Sequence, residues 1–199
     1  MMDEYQTLQE PSEGLYKEKG SRFIAIALPV GSVQEVKQHL ERLRKTYHDA
    51  RHHCYAYRLG EEPYEIRYND DGEPAGTAGK PIYGQIQSFD LTNLLIVVVR
   101  YFGGIKLGTG GLIQAYKTAA RDAILQGKIV KKVWTSRVLI SFKYEQLNQV
   151  MTVIKEESLT PVTQDFMLEC KITLEIRKSR VEIFLQRLKN LENVYSSVI

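Results

Sequence analysis

The sequence predicts an α+β protein of two domains, with an extension at residues 1–14, a first domain at 15–130 and a second at 131–199. Two observations support this fold class. The first domain mixes strand and helix patterns with two glycine-rich stretches, whereas the second follows a regular order of strands and helices. With 43% hydrophobic and 26% charged residues, the chain has an ordinary globular composition and can bury a core.

The first domain is predicted to begin with a hairpin and a helix. The segment SRFIAIALPV at residues 21–30 alternates large and small apolar side chains, which indicates a strand covered on both faces. It follows GLYKEKG, so the two segments are expected to pair as a hairpin. Ser32 and Glu35 form a capping-box pattern, in which each side chain satisfies a free backbone donor of the other residue. We therefore expect a helix to begin there.

Further along this domain, HHCYAYRLG and YEIRYND are separated by GEEP, which predicts a second hairpin. The segment at 82–89 is interpreted as a short helix. Asn93 to Phe102 is the most apolar run of the chain and predicts a central strand. The apolar positions after the following glycines recur at helical spacing, and Gly127 is expected to end that helix.

The second domain is predicted to contain strands at 133–142, 161–166 and 170–176 and a closing strand VYSSVI. One helix is expected between the first two strands. Ser179 and Glu182 form another capping-box pattern, which predicts that a second helix begins there. The resulting order of strand, helix, strand, strand, helix, strand is the split βαβ arrangement of ferredoxin-like domains.

Charge, cysteine content and hydropathy restrict the class of protein. The net charge is +3, with the excess in residues 131–199, which is milder than the basic stripe of a nonspecific nucleic-acid binder. Cys54 and Cys170 lie far apart and match neither a disulfide framework nor a zinc site. No apolar run approaches the roughly 18 residues of a membrane span, and the amino-terminal segment is polar. We therefore expect a cytoplasmic protein without a membrane partner.

The stretch RYFGGIKLGTGGLIQAY, residues 100–116, is the most glycine-rich part of the chain. It lacks the Lys-Ser/Thr of a Walker loop, and Ile113 stands where the dinucleotide fingerprint requires its third glycine. A strand, a glycine-rich turn and a helix start nevertheless present free N–H groups that favour an anion. With Arg100 and Lys106 nearby, a phosphate is the expected ligand. Alternatively, the glycines only permit tight packing of the connection.

The stretch DDGEPAGTAGKP, residues 70–81, brings three carboxylates, those of Asp70, Asp71 and Glu73, together with Lys80. Paired carboxylates can serve as acid and base or hold a hard cation. Their spacing is not that of a calcium loop. Because Asp-Gly and Glu-Pro are turn dipeptides, turn formation is the alternative interpretation.

A histidine and cysteine cluster offers a third candidate. His48 and His52 can share a helix face and bind a metal, and Cys54 can act as a nucleophile beside an imidazole. If 53–58 is a strand, however, Cys54 points away from His53. Its thiol is then a small core residue, and no metal site is expected.

Three stretches together resemble the YigZ/IMPACT family: HCYAYR at 53–58, DGEPAGTAGKP at 71–81 and RYFGGIKLGTGGLIQAY at 100–116. The resemblance covers roughly residues 15–125, and the ferredoxin-like tail is similar to the carboxy-terminal domain of bacterial members. It implies that the first domain has the α+β sandwich fold shared by a small-subunit ribosomal protein and the fourth domain of elongation factor G. It also implies a second domain similar to the ferredoxin-like domains of that factor, and a role at RNA or the ribosome.

The resemblance transfers no catalytic residues, so its motif positions are carried over only as motifs. The anion- or nucleic-acid-binding candidates are Arg100, Tyr101, Phe102, Gly103, Gly104, Lys106, Gly108, Gly110 and Gly111. The second motif loop comprises Asp70, Asp71, Gly72, Glu73, Pro74, Gly76, Thr77, Gly79 and Lys80.

The sequence and the resemblance lead to a hypothesis and a rival. The hypothesis is a protein that binds RNA or the ribosome and modulates translation without a cofactor and without established catalysis. Arg100 and Lys106 would contact phosphate, and Tyr101 or Phe102 would stack on a base. The rival is an enzyme or small-ligand binder, in which the carboxylates of the 70–80 loop face a phosphate held at Gly108–Gly111 across a cleft.

Overall fold

The computed structural model describes residues 3–199 and divides them into two compact units. One unit comprises residues 5–132, and the other comprises 133–199 together with Asp3 and Glu4. Both units combine helices with antiparallel sheet, so the predicted α+β class is confirmed. None of the helices in the described part of the chain is long and apolar enough to cross a membrane.

The unit at 5–132 is built on a five-stranded sheet, with three helices covering it. The elements in chain order are β1 (Glu4–Leu8), β2 (Ser12–Glu18), β3 (Ser21–Pro29), α1 (Val33–Thr46), β4 (His52–Leu59), β5 (Glu65–Asn69), α2 (Gly79–Ser88), β6 (Leu94–Tyr101), α3 (Gly108–Gln126) and β7 (Ile129–Val133). The sheet has the order β2-β3-β6-β4-β5, and every neighbouring pair is antiparallel. Both hairpins predicted from the sequence are therefore confirmed.

Strand β6 lies at the centre of this sheet and is buried on both faces. Its alternate side chains enter two different cores, one formed with α2 and α3 and the other with α1. A strand that must satisfy two apolar environments cannot alternate with polar residues, which explains the uninterrupted run predicted to be central. The first core receives Leu94, Ile96 and Val98, and the second receives Leu95, Val97 and Val99.

Helix α1 begins where the capping box predicts. The Ser32 Oγ accepts a hydrogen bond from the Glu35 backbone N–H at 3.2 Å. The Glu35 carboxylate reaches back one residue further than in the usual capping box and accepts from the Gly31 N–H at 2.9 Å. Two backbone donors are thereby satisfied at the helix start.

The unit at 133–199 has the βαββαβ order predicted from the sequence. Its elements are β8 (Thr135–Phe142), α4 (Leu147–Glu156) after a single 3-10 turn, β9 (Pro161–Phe166), β10 (Cys170–Arg177), α5 (Lys178–Lys189) and β11 (Val194–Val198). The four strands form an antiparallel sheet in the order β11-β8-β10-β9. Alternate residues of β8 and β10 pack with the two helices to form its core.

The structure corrects the sequence analysis at the start of α5. The predicted capping box at Ser179 and Glu182 is wrong, because the helix begins at Lys178 and has no side-chain cap at its N-cap residue. The Asp3 carboxylate accepts hydrogen bonds from both the backbone N–H and the hydroxyl of Ser179. A distant acidic residue therefore takes the donors that the local pattern assigned to Glu182.

Two short strands have no counterpart in the sequence analysis. Strand β1 lies within the segment predicted as an extension, and β7 lies where the domain boundary is predicted. The two strands pair with each other, and Leu8 of β1 is fully buried in the α2 and α3 core.

Strand β2 packs closely against α3, and this contact can be tested at Gly14. A Cβ at Gly14 would lie 2.3 Å from the backbone nitrogen of Ala123. We expect Gly14→Ala to lower the free energy of unfolding of this unit by about 1–3 kcal/mol, because overpacking displaces backbone. Urea unfolding followed by circular dichroism measures the effect. The control is Gly84→Ala in α2, where a Cβ meets no atom within 4 Å. It should stabilise by up to about 1 kcal/mol, and equal losses in the two variants would contradict the packing argument.

Candidate functional site

The two glycine-rich motifs meet at a buried ion pair. Arg100 lies at the end of β6 and is only 7% exposed, and its Nη1 is 2.6 Å from the Glu73 Oε1 of the second motif loop. The Tyr116 hydroxyl on α3 donates to the same oxygen at 2.8 Å. One carboxylate therefore joins a strand, a loop and a helix. The sequence predicts Arg100 as a phosphate ligand. Because its guanidinium is paired with Glu73 inside the unit, its main role in the structure is to stabilise the fold.

Cys54 continues this buried network. Its thiol donates to the Asp70 backbone carbonyl, 3.0 Å from the sulfur, and the Tyr116 hydroxyl lies 3.3 Å from the same sulfur. Burial raises the pKa of the Cys54 thiol and of the Tyr116 hydroxyl far above their ordinary values. The interpretation of Cys54 as a core residue is confirmed, because it is fully buried among the apolar side chains of the core. A thiol held neutral in this way is a poor nucleophile.

The carboxylates of the second motif loop are occupied by the protein itself. The Asp70 side chain accepts from the backbone N–H groups of Gly76, Ala78 and Gly79 at 2.8, 3.0 and 2.8 Å, which caps the start of α2. The Asp71 Oδ2 accepts from the His53 N–H at 2.7 Å. With Glu73 paired as well, the geometry favours turn formation. Within residues 3–199, no group of three or more His, Cys, Asp or Glu side chains is arranged to hold a metal ion.

The remaining residues of this loop also shape its backbone. Gly72 and Gly76 have φ values of +87° and +75°, a conformation that side chains with a Cβ rarely adopt. Thr77 is buried, and its hydroxyl donates to the Pro74 carbonyl at 2.7 Å. Lys80 is the exposed basic residue of the loop.

The glycines of the first motif have different roles. Gly103 packs against the β2–β3 turn, and a Cβ there would lie 1.9 Å from the Gly20 carbonyl carbon. Gly104 and Gly108 have φ values of +90° and +72°. Gly111 lies close to the Leu107 side chain, whereas a Cβ at Gly110 would meet no atom within 4 Å. Packing or backbone conformation therefore accounts for most of these glycines but not for Gly110.

The exposed part of the first motif combines an aromatic ring, a cation and an open helix start. Phe102 is 52% exposed, and its ring centroid is 5.6 Å from the Arg100 guanidinium carbon. Lys106 is exposed and makes no ion pair or side-chain hydrogen bond in the described part of the chain. Helix α3 begins without a side-chain cap and without an acidic residue in its first turn. Such a surface suits an anionic ligand that carries a flat ring.

Tyr101 lies apart from this surface. Its side chain packs with the α1 core, and its hydroxyl donates to the Asp49 Oδ1 at 2.7 Å. This hydrogen bond raises the pKa of the Tyr101 hydroxyl above its usual value. Of the two neighbouring aromatic residues proposed for stacking, Phe102 is therefore the one that is free to stack.

Sequence reasoning placed Tyr116 only on an apolar helix stripe and missed its role at Glu73. A weak signal was present in β6, because Arg100 continues the alternation that places Ile96 and Val98 in the α2 and α3 core. A charged residue in phase with a buried face requires a buried partner of opposite charge.

Comparisons with known proteins agree with the three motifs. The model of the Impact N-terminal domain matches residues 19–124. The IMPACT family member YigZ of Escherichia coli (strain K12) is 33% identical over 172 residues, which cover 85% of this chain and 84% of that protein. The IMPACT family member YvyE of Bacillus subtilis (strain 168) is 29% identical over 198 residues, covering 100% and 91% of the two chains. A crystal structure of a hypothetical protein, 29% identical, superimposes with a TM-score of 0.76 over 100% of this chain and 98% of that one.

The Glu73 carboxylate is expected to be a major contributor to the stability of its unit. Glu73→Ala leaves the Arg100 guanidinium buried without its partner, so we expect the free energy of unfolding to fall by about 3–5 kcal/mol. Chemical denaturation measures the change. The control is Glu41→Ala, which removes an exposed pair with Lys45 and should change stability by less than about 0.5 kcal/mol. Similar losses of unfolding free energy in the two variants would show that the buried pair stabilises the protein no more than the exposed pair.

The buried Cys54 thiol is expected to resist modification. In a Cys170→Ser background, a thiol-specific reagent such as DTNB at pH 8 should react with Cys54 only at the rate at which the unit opens. The rate should rise sharply in denaturant, because the thiol is neutral and inaccessible in the folded protein. Rapid labelling of the folded protein, at the rate of a free thiol, would instead support an activated nucleophile.

Proposed function

The chain belongs to the IMPACT family, and from this membership we propose that it binds RNA, free or on the ribosome, and thereby modulates translation. The observation that carries the proposal is the exposed Phe102 ring, followed within six residues of the chain by the exposed Lys106 and the uncapped start of α3. An aromatic face stacks on any base, and a cation with free N–H groups binds the neighbouring phosphate.

Phe102 is well placed to act as a stacking platform. Its ring lies near the Arg100 guanidinium, which is in turn fixed by Glu73. The platform is therefore supported by a buried and rigid pair, and little side-chain freedom is lost when a base stacks on it. Base stacking on an aromatic side chain contributes about 1–3 kcal/mol.

The structure gives more support to this proposal than to the rival enzyme. The rival requires the carboxylates of Asp70, Asp71 and Glu73 to be available for acid-base or metal chemistry. All three are engaged with backbone N–H groups or with Arg100. A thermal-shift screen with nucleotides, phosphorylated metabolites and magnesium would still support the rival if a small ligand stabilised the protein strongly.

RNA binding can be measured with labelled single-stranded RNA across a salt series. We expect Phe102→Ala to weaken binding by about 1–3 kcal/mol, and Lys106→Ala to reduce the salt slope by about 0.7 for the phosphate it no longer contacts. Tyr68→Ala and Lys37→Ala are matched controls on other elements; Tyr68 is 48% exposed. Both controls should leave the affinity and the slope unchanged.

The link to translation requires a second readout. The wild-type protein should co-sediment with ribosomes at low salt, and Phe102→Ala should reduce both the bound fraction and any effect on an in vitro translation reaction. Absence of binding to both RNA and ribosomes at low salt would refute the proposal.

A further inference from the structure

A groove between α2 and α3 has no assigned role. It has a volume of about 590 Å³, and its walls include Gly84, Gln85 and Ser88 of α2 and Ile113, Lys117 and Arg121 of α3. We call it the α2–α3 groove. One wall belongs to the same helix as the open α3 start. Pro81 and Ile113 of its lining fall within the two motif stretches, but none of the lining residues is one of the binding candidates named from the motifs.

All charged residues that line the α2–α3 groove are basic. Lys117 and Arg121 are its charged lining residues, and both are exposed. Within residues 3–199, neither side chain makes an ion pair or a hydrogen bond. They are separated by four residues of one helix, a rise of about 6 Å. Two unpaired cations at this spacing attract a ligand that carries successive negative charges.

The amide of Gln85, at the end of a mostly buried side chain, adds polar donors and an acceptor to this groove. Gln85 is 7% exposed, and its side chain makes no hydrogen bond to any residue of the described chain. The amide atoms are not among the fully buried unsatisfied atoms of the described chain, so the amide end reaches the solvent of the groove. The Gln85 amide lines the groove and is therefore available to a ligand that offers hydroxyl or base-edge partners.

Glycines leave both helices open to close approach. Gly84 lies inside α2 and Gly110 in the first turn of α3, and a Cβ at either position would meet no atom within 4 Å. Glycine is the least favourable residue in a helix interior apart from proline. No contact within the unit explains these two glycines, but a ligand backbone approaching the helices would.

From these observations we propose that the α2–α3 groove binds the phosphodiester backbone of single-stranded RNA. Lys117 and Arg121 contact successive phosphates, and the Gln85 amide bonds a ribose hydroxyl or a base edge. This inference rests on the proposed function and extends it to a second part of the surface. RNA fits better than an acidic peptide because Gly110 and the cations continue along α3 from its uncapped end, which follows Phe102 and Lys106 in the chain. The path from Gly108 to Arg121 is about 20 Å long, which accommodates several nucleotides.

The test uses the full chain and a fluorescein-labelled, mixed-sequence single-stranded RNA in a salt titration. Lys117→Ala combined with Arg121→Ala should lower affinity at least tenfold at low salt and reduce the log-log salt slope by about 1.4, the value for two phosphate contacts on a single strand. The charge-matched control is Lys37→Ala with Arg42→Ala on α1, which packs on the other face of the sheet. It should keep the wild-type slope.

A second variant separates binding from folding. Gln85→Met preserves volume and removes the unpaired amide, so its melting temperature should be unchanged or higher while its RNA affinity falls. If the Lys117 and Arg121 variant binds RNA with the wild-type affinity and slope, the groove proposal is overturned. The Phe102 surface is tested separately, by the Phe102 and Lys106 variants. If this variant loses affinity only for an acidic peptide, the RNA assignment is also overturned. If the wild-type protein binds no RNA at low salt, the proposed function itself fails.

Discussion

The buried Glu73 carboxylate is the constraint on which the first unit depends. A charge taken out of water must be compensated, and here the Arg100 guanidinium and the Tyr116 hydroxyl do so from β6 and α3. The loop that carries Glu73 must then be held in one conformation. The Asp70 carboxylate achieves this by accepting three backbone N–H groups, two of which belong to the start of α2. The motif residues therefore form a supporting framework for the exposed residues that we propose as the binding surface.

The separation between buried framework residues and exposed residues explains why the glycine-rich segment resembles a nucleotide-binding loop but lacks the residues with which such a loop binds phosphate. Gly103 brings the segment against the β2–β3 turn. Phe102, the residue before it, is then left at the surface beside the buried Arg100. The exposed ring, the neighbouring cation and the open α3 start are consequences of how the segment packs. The proposed ligand contacts involve only these exposed groups.

Much of this architecture is readable from the sequence because its signals are local. The apolar run of β6, the capping box at Ser32 and the strand and helix order of the second unit each depend on residues close in the chain. Contacts between distant residues were not readable. Strands β1 and β7 are short and partly polar, and they pair although almost the whole sequence of the first unit separates them. In the second unit, Asp3 replaces Glu182 as the acceptor at Ser179.

The candidate site, too, depends on contacts between distant residues that local sequence patterns do not reveal. The two motif stretches meet in the fold, but a charged residue such as Arg100 reads as exposed when its partner is far away in the sequence. Nothing in the local pattern of α2 distinguishes a buried Gln85 from a solvated one, because its burial results from the packing of α2 against the sheet and α3. Long-range pairing and burial thus decide which motif residues are exposed and which face the core.

Helices α2 and α3 are both hydrogen-bonded to the loop that carries Asp70 and Glu73, and this affects how the groove between them would recognise a ligand. The start of α2 is held by Asp70 and the middle of α3 by Glu73, so neither wall of the groove between them can move without disturbing the loop that joins both. A groove with walls fixed in this way is preorganised, and an incoming strand alone bears the entropic cost of ordering. Discrimination should then depend on ligand flexibility: a strand that bends easily fits the fixed width, whereas a stiff duplex does not.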